Sequence, residues 1–227
     1  MSAGPASRRP PPDGHLAAER LALLDRTLAH VPFDGWTARS LKAAASDLGY
    51  DWSLARRAFP RGLREVIALF EAETDRRMVA ALEDTDLAAL RIRDRIAAAV
   101  RARLELCAPH REACRRLVAH YALPGNAATG LGAMYRSIDL MWRAAGDTAT
   151  DFNFYTKRGL LAGVYGATIL FWLNDRSEDC VESWAFLDRR IADVMNIQRL
   201  RGRAGGAWAA LDRVLHGRPP RRGRAQP

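Results

Sequence analysis

The chain predicts an all-α protein, a helical bundle with a helix-turn-helix-like part near its N-terminus. Alanine, leucine and arginine dominate its 227 residues, and all three favour helix. No stretch alternates polar and apolar residues with period two over a useful length, so strands are not expected. Gly and Pro clusters divide the chain into segments whose apolar residues recur every three or four positions. At 48% hydrophobic content, the chain can bury one sizeable core or two small ones.

The elements follow in order. A first helix is predicted from about His15 to His30, with Ala17, Leu21, Leu24 and Leu28 on one face and Pro32–Gly35 ending it. Thr37 is suited to cap a short helix that stops at Gly49. Asp51 caps another, Trp52–Phe59, stopped by Pro60. The tight Leu48-Gly49-Tyr50 turn between these two makes a helix-turn-helix layout. A longer helix begins near Gly62 and turns Val66, Ile67, Leu69 and Phe70 inward.

The next helix, about Leu87–Leu106, faces Ile92, Ile96, Ala99, Val100 and Leu104 inward and leaves Arg93, Arg95, Arg101 and Arg103 mostly on its wet side. Another lies between Pro109 and Tyr121, and a further one spans about Ala128–Ala144. From Asp151 a long helix runs to Asn174, apolar on nearly every side between Leu160 and Leu173. Such a helix belongs at the centre of a bundle. Ser177 caps the next helix, where Cys180, Trp184, Leu187, Ile191 and Val194 form one stripe. Gly202–Gly206 is a hinge before a short terminal helix, Ala207–His216. The expected organisation is a disordered leader (1–12), a helix-turn-helix-like part (13–82), a helical bundle (83–200), the hinge and terminal helix (201–217) and a basic tail (218–227).

Net charge is +9, carried almost wholly by arginine; lysine occurs only at 42 and 157. Such a surface favours anionic partners, nucleic acid or acidic headgroups. Cys107, Cys114 and Cys180 have neither a paired framework nor metal spacing, which fits a reducing compartment. The N-terminus lacks the apolar core of a secretory signal. No apolar run reaches the roughly 20 residues of a membrane span. No Glu-x-x-His pair, phosphate-binding Gly loop or nucleophile elbow occurs, and the five histidines are scattered, so neither an enzyme nor a cofactor is expected.

The segment DFNFYTKRGLLAGVY (151–165), then LFWLNDRSED (170–179) and WAFLDRRIADVM (184–195), resembles the ubiquinone-biosynthesis accessory family. The likeness is strong over about Met134–Met195 and looser elsewhere. It implies a TetR-regulator-like fold, lipid binding, and assistance to the di-iron demethoxyubiquinone hydroxylase. By this match the patch contacting the hydroxylase falls on Met141, Trp142, Phe154 and Tyr155; the family more usually has Trp where this chain has Phe154. TetR-like folds often pair through their last long helices, so a homodimer is expected.

Lipid holding has a physical logic. Exposing one five-carbon isoprene unit to water costs roughly 3–4 kcal/mol, at about 0.8 kcal/mol per CH₂. An isoprenoid quinone precursor therefore cannot diffuse through water to a soluble hydroxylase. The expected lining is Leu160, Val164, Tyr165, Thr168, Phe171 and Trp172, joined by Trp184 and Leu187. On the terminal helix, Trp208, Leu211, Val214 and Leu215 share a face surrounded by arginine, the pattern of a helix lying on an anionic membrane surface. The expected setting is peripheral on the bacterial inner membrane, or matrix-side in a mitochondrion.

The rival reading is a TetR-type transcriptional regulator with an apolar ligand pocket. Its recognition helix would begin Asp51, Trp52, Ser53, Leu54, an acid and two bulky apolar groups where major-groove reading calls for polar or basic ones. Arg56 and Arg57 could touch phosphates, which position a protein without specifying sequence.

Overall fold

The computed structural model describes residues 16–146 and 152–196, with backbone alone over 152–155. The described part is all-α, without a strand. The leader, the hinge, Trp208, Leu211, Val214, Leu215 and the tail lie outside the described residues.

Helices α1 (Ala17–Asp34), α2 (Ala38–Asp47) and α3 (Trp52–Ala58) form the N-terminal part. Pro32 does not end α1 but sits inside its last turn, and the chain leaves the helix at Gly35, whose φ is 71°. The inward stripe is Leu23, Leu24, Thr27, Leu28 and Val31, so Leu21 faces outward, contrary to the sequence expectation. The Thr37 hydroxyl accepts from the Ser40 amide, and the Asp51 carboxylate accepts from the Ser53 amide at 2.6 Å, capping α2 and α3. Between them Gly49 takes φ 67°, a left-handed conformation that costs glycine little, and makes the turn of a helix-turn-helix.

Two arginines and a tryptophan hold this part together and to the rest. Arg20 donates to the Ala58 carbonyl at 2.7 Å and lies over the Phe59 ring. The Trp36 indole donates to the Ala113 carbonyl at 3.0 Å, and Arg116 donates to the Pro32 carbonyl at 2.7 Å. Both bonds run to a helix of the larger bundle, so the two parts share one buried apolar cluster.

That bundle comprises α4 (Leu63–Glu83), α5 (Ile92–Cys107), α6 (Arg111–Ala122), α7 (Pro124–Ala144), α8 (Phe152–Trp172) and a helix α9 over 181–196. Helix α5 starts later than its sequence suggests because Leu87–Ala89 forms a separate 3₁₀ turn, and Ile92, expected inward, is its first residue and stands exposed. Helix α7 starts earlier, with Pro124 in its first turn, where a missing N–H does no harm. Asp175 fixes the corner between α8 and α9. Its carboxylate accepts from the amides of Ser177 and Ser183, each at 2.8 Å, and from both hydroxyls. From α6, Arg111 donates to the Asp175 carbonyl, and Arg115 to the Leu173 carbonyl and the Asn174 side chain.

Candidate functional site

A cavity of about 400 Å³ lies among α4, α5, α6, α7 and α8. Its wall is mostly apolar: Phe70 from α4, Leu117 and Val118 from α6, Leu131 and Met134 from α7, Ile169 and Leu170 from α8. Leu131 and Leu170 are also 66% and 54% exposed, so they mark the rim where the space meets solvent.

Two glycines border the space. Gly130 of α7 sits against the Tyr121 ring of α6, where a Cβ would come within 2.6 Å of it. Gly166 of α8 faces the cavity, and a Cβ there would find its nearest neighbour, the Met134 methyl, 3.7 Å away. On α8 the cavity face is therefore Tyr165, Gly166, Ile169 and Leu170.

The inner end of the cavity is polar. Arg103 of α5, 7% exposed, donates from Nε to the Asp75 carboxylate of α4 at 2.7 Å and from one Nη to the Tyr165 hydroxyl at 2.6 Å. Ser137 of α7 donates to the other Asp75 oxygen at 2.9 Å. One turn before Asp75, Glu71 accepts from the Tyr121 hydroxyl at 2.9 Å. Burial pushes the Glu71 carboxyl above its ordinary range, against the pull of that hydrogen bond. Burial likewise pushes the Tyr165 and Tyr121 phenols upward, so both stay protonated at neutral pH. Cys107 and Cys114 also border the space. Among the described residues no cluster of His, Cys, Asp or Glu is arranged to hold a metal ion.

Arg103 corrects the sequence expectation, which left it on the wet face of α5. It occupies the apolar stripe Ile96, Ala99, Val100, Arg103, Leu104, Cys107. The signal was present: Glu71 and Asp75 stand on the equally apolar inner stripe of α4, between Ile67, Phe70 and Met78, and supply the matching carboxylates. A buried arginine needs such a partner.

Of the expected lining residues, only Tyr165 borders the cavity. Val164, Thr168, Trp172 and Leu187 are buried in the packed core on other sides. The Thr168 hydroxyl donates to the Val164 carbonyl at 2.7 Å, and Trp172 lies under the Arg111 guanidinium. Leu160 is half-buried. Phe171 stacks on Phe186 at 4.5 Å between ring centres. Trp184 packs under Arg101 and donates its indole N–H to the Asp179 carbonyl at 2.8 Å. A helix apolar all round carries no period that says which face meets a void.

The expected partner patch is divided. Met141 is 0% exposed and supports its surroundings from beneath, so it offers no surface of its own. Trp142 is half-buried beside the Lys157 ammonium, which lies 5.6 Å from its ring centre. The side chains of Phe154 and Tyr155 lie outside the described residues. Nearby, Asp139 of α7 receives Arg143 from its own helix and Arg158 from α8, at 2.7 and 2.6 Å. This clamp fixes the start of α8 against the end of α7.

On α3, Trp52 and Leu54 pack inward, leaving Asp51, Ser53, Arg56 and Arg57 outward. Asp51 is occupied as a cap, and the Ser53 hydroxyl accepts from Arg57. No described helix is long and apolar enough to cross a membrane.

Comparison with known proteins agrees with this architecture. The family model COQ9 matches residues 127–198. The ubiquinone biosynthesis protein COQ9, mitochondrial, of Rattus norvegicus is 33% identical over 94% of this chain and 74% of its own length. The Homo sapiens protein of that name is also 33% identical, over 86% of this chain and 63% of its own length. The Drosophila melanogaster protein is 30% identical over 88% and 62%. The crystal structure of a TetR transcriptional regulator from Nitrosomonas europaea matches with a TM-score of 0.65, over 77% of this chain and 97% of that one, at 20% identity. At that identity the likeness speaks for the fold. With a third of its residues shared across nearly its whole length, on a TetR-regulator-like fold, this chain belongs to the COQ9 family of ubiquinone biosynthesis proteins.

Proposed function

We propose that the chain is a non-catalytic accessory protein that binds an isoprenoid quinone precursor and presents it to the di-iron demethoxyubiquinone hydroxylase. The observation that carries this reading is the cavity of about 400 Å³, rimmed by exposed Leu131 and Leu170. At roughly 30 Å³ per heavy atom, taken from the volume of a water molecule, that space holds about 13 atoms. It suits a ring or two to three isoprene units. A longer tail leaves through the rim.

Each isoprene unit held in the cavity avoids the roughly 3–4 kcal/mol that exposing it to water would cost, so the part of a tail that has left the bilayer stays covered. The segment after residue 206, with Trp208, Leu211, Val214 and Leu215 as apolar anchors among arginines, docks on an anionic membrane surface. Trp142, Phe154 and Tyr155 form the aromatic part of the surface that meets the hydroxylase, with Met141 beneath. Aromatic anchors suit this because they bury much area with few rotors. Two copies pair through α8 and α9, and Val181 of α9 is exposed. The setting is the quinone-bearing membrane; the relatives named above are called mitochondrial.

Native mass spectrometry of the purified protein with lipid extraction tests the reading. A co-purifying isoprenoid or quinone supports it. The regulator reading rests on the helix-turn-helix of α1–α3, and an empty protein that shifts a promoter fragment would establish that reading instead.

A further inference from the structure

We propose that the inner end of the cavity is a polar subsite that accepts an uncharged, oxygen-bearing end of the guest, at Arg103 and Tyr165. This rests on the reading of the cavity as a lipid site and names what that site recognises.

Two donors at this end go unused. The Tyr165 hydroxyl oxygen accepts from Arg103, and its own hydrogen meets no acceptor among the described residues. Arg103 uses Nε on Asp75 and one Nη on Tyr165; its second Nη has no hydrogen-bond partner among them. Both residues line the cavity and both are more than nine-tenths buried. The second Arg103 Nη is not among the fully enclosed unpartnered atoms, so water or a guest entering the cavity can reach it, and donors of buried residues in native proteins nearly always find an acceptor. Two such donors facing one apolar space call for a guest that brings an acceptor oxygen, such as a quinone carbonyl, a phenol or an alcohol.

The charges set the second condition. The Arg103 cation is already matched by Asp75 at 2.7 Å, and Ser137 engages the other Asp75 oxygen. Glu71, with 11% of its side chain exposed, brings a second carboxyl to the same end, and Arg136 reaches it only at 3.9 Å from the more exposed side. The enclosed groups therefore sum to no net positive charge. A phosphate or carboxylate headgroup entering here would lose its water and gain no uncompensated cation. The subsite accordingly takes a neutral oxygen and turns away an anion, which leaves charged amphiphiles to bind with their heads outside.

The test uses the full-length protein stripped of lipid and three probes with one tail: farnesol, farnesene and farnesyl phosphate, each displacing Nile red. The expected order is farnesol about tenfold tighter than farnesene, as one or two neutral hydrogen bonds allow, with farnesyl phosphate at least tenfold weaker than farnesol. Tyr165→Phe keeps the ring and the apolar wall; it should bring farnesol within threefold of farnesene while leaving farnesene affinity unchanged. Glu71→Gln removes the second carboxyl and should narrow the gap between farnesol and farnesyl phosphate, a charge effect that a packing defect would not mimic. Equal binding of farnesol and farnesene by the unaltered protein overturns the subsite and leaves the apolar cavity standing. Tightest binding of farnesyl phosphate overturns it in favour of an anion site. Failure of all three probes to bind overturns the lipid reading itself, and the subsite with it.

Discussion

Replacing Gly166 by leucine should stabilise the protein and weaken its hold on lipid at once. Gly166 lies in the middle of α8 and faces the cavity; a Cβ there would meet only the flexible Met134 methyl at 3.7 Å. Glycine costs a helix interior about 0.8–1 kcal/mol relative to alanine, and leucine is nearly as good a helix former as alanine. Burying the leucine side chain adds about 1.5–3 kcal/mol, less about 0.5–1 kcal/mol of rotamer entropy. The net gain is about 2 kcal/mol, which raises Tm by about 4–8 °C in a domain of this size. The four added carbons fill roughly 120 Å³ at ~30 Å³ each, nearly a third of the space. Thermal denaturation of lipid-free protein and Nile red displacement by farnesol measure the two effects. A fall in Tm would show that the space is not there to be filled, and unchanged farnesol affinity at raised Tm would show that the guest does not use it.

Gly130→Ala pushes a methyl into the Tyr121 ring, 2.6 Å away. Overpacking of this kind should lower stability by about 1–3 kcal/mol in a denaturant melt, whereas alanine at an unconstrained helical site would raise it. Asp175→Asn removes a carboxylate that burial pushes up but the hydrogen bonds from Ser177 and Ser183 bring down to about 2. A depressed carboxyl contributes stability above its ordinary range and loses it as pH falls toward 2, so the gap between parent and variant should close on going from pH 6 to pH 2 in urea melts. Constant spacing between those curves would mean that Asp175 stays protonated or unpaired. Glu71 has the opposite sign: burial raises its carboxyl, so its ionisation costs the folded state as pH climbs above the ordinary glutamate range. Glu71→Gln should therefore gain Tm over the parent between pH 5 and pH 8, and a gain independent of pH would show that ionisation of Glu71 is not involved. For the partner surface, joint Trp142→Ala and Tyr155→Ala replacement should abolish co-purification with the hydroxylase while circular dichroism stays unchanged; retained co-purification removes the patch.

The secondary structure was legible from the sequence because helix propensity, capping and breakers act locally. Thr37 and Asp51 cap where their side chains predict, and Gly49 turns the chain where only a positive φ allows it. The displaced boundaries are also local. Pro32 stays within α1 because a proline in the last turn displaces few hydrogen bonds, and Pro124 opens α7 because a first turn needs no amide there. The site was less legible. Charge alone sends Arg103 to solvent, although it sits in register with Val100 and Cys107 on a buried stripe. Its pairing with Asp75 joins α4 to α5 across 28 residues, and its bond to Tyr165 spans 62, separations that no local pattern encodes.

Sequence alone settled the helical class, the helix-turn-helix at the front and the family likeness, since these rest on short-range preference and on an ordered string of residues between 134 and 195. Tertiary packing decided which face of α8 looks into empty space. That helix is apolar on all sides, so burial costs each face alike. Gly166 leaves room on the side that meets the void, and a buried arginine of α5, paired with a carboxylate of α4, closes the inner end.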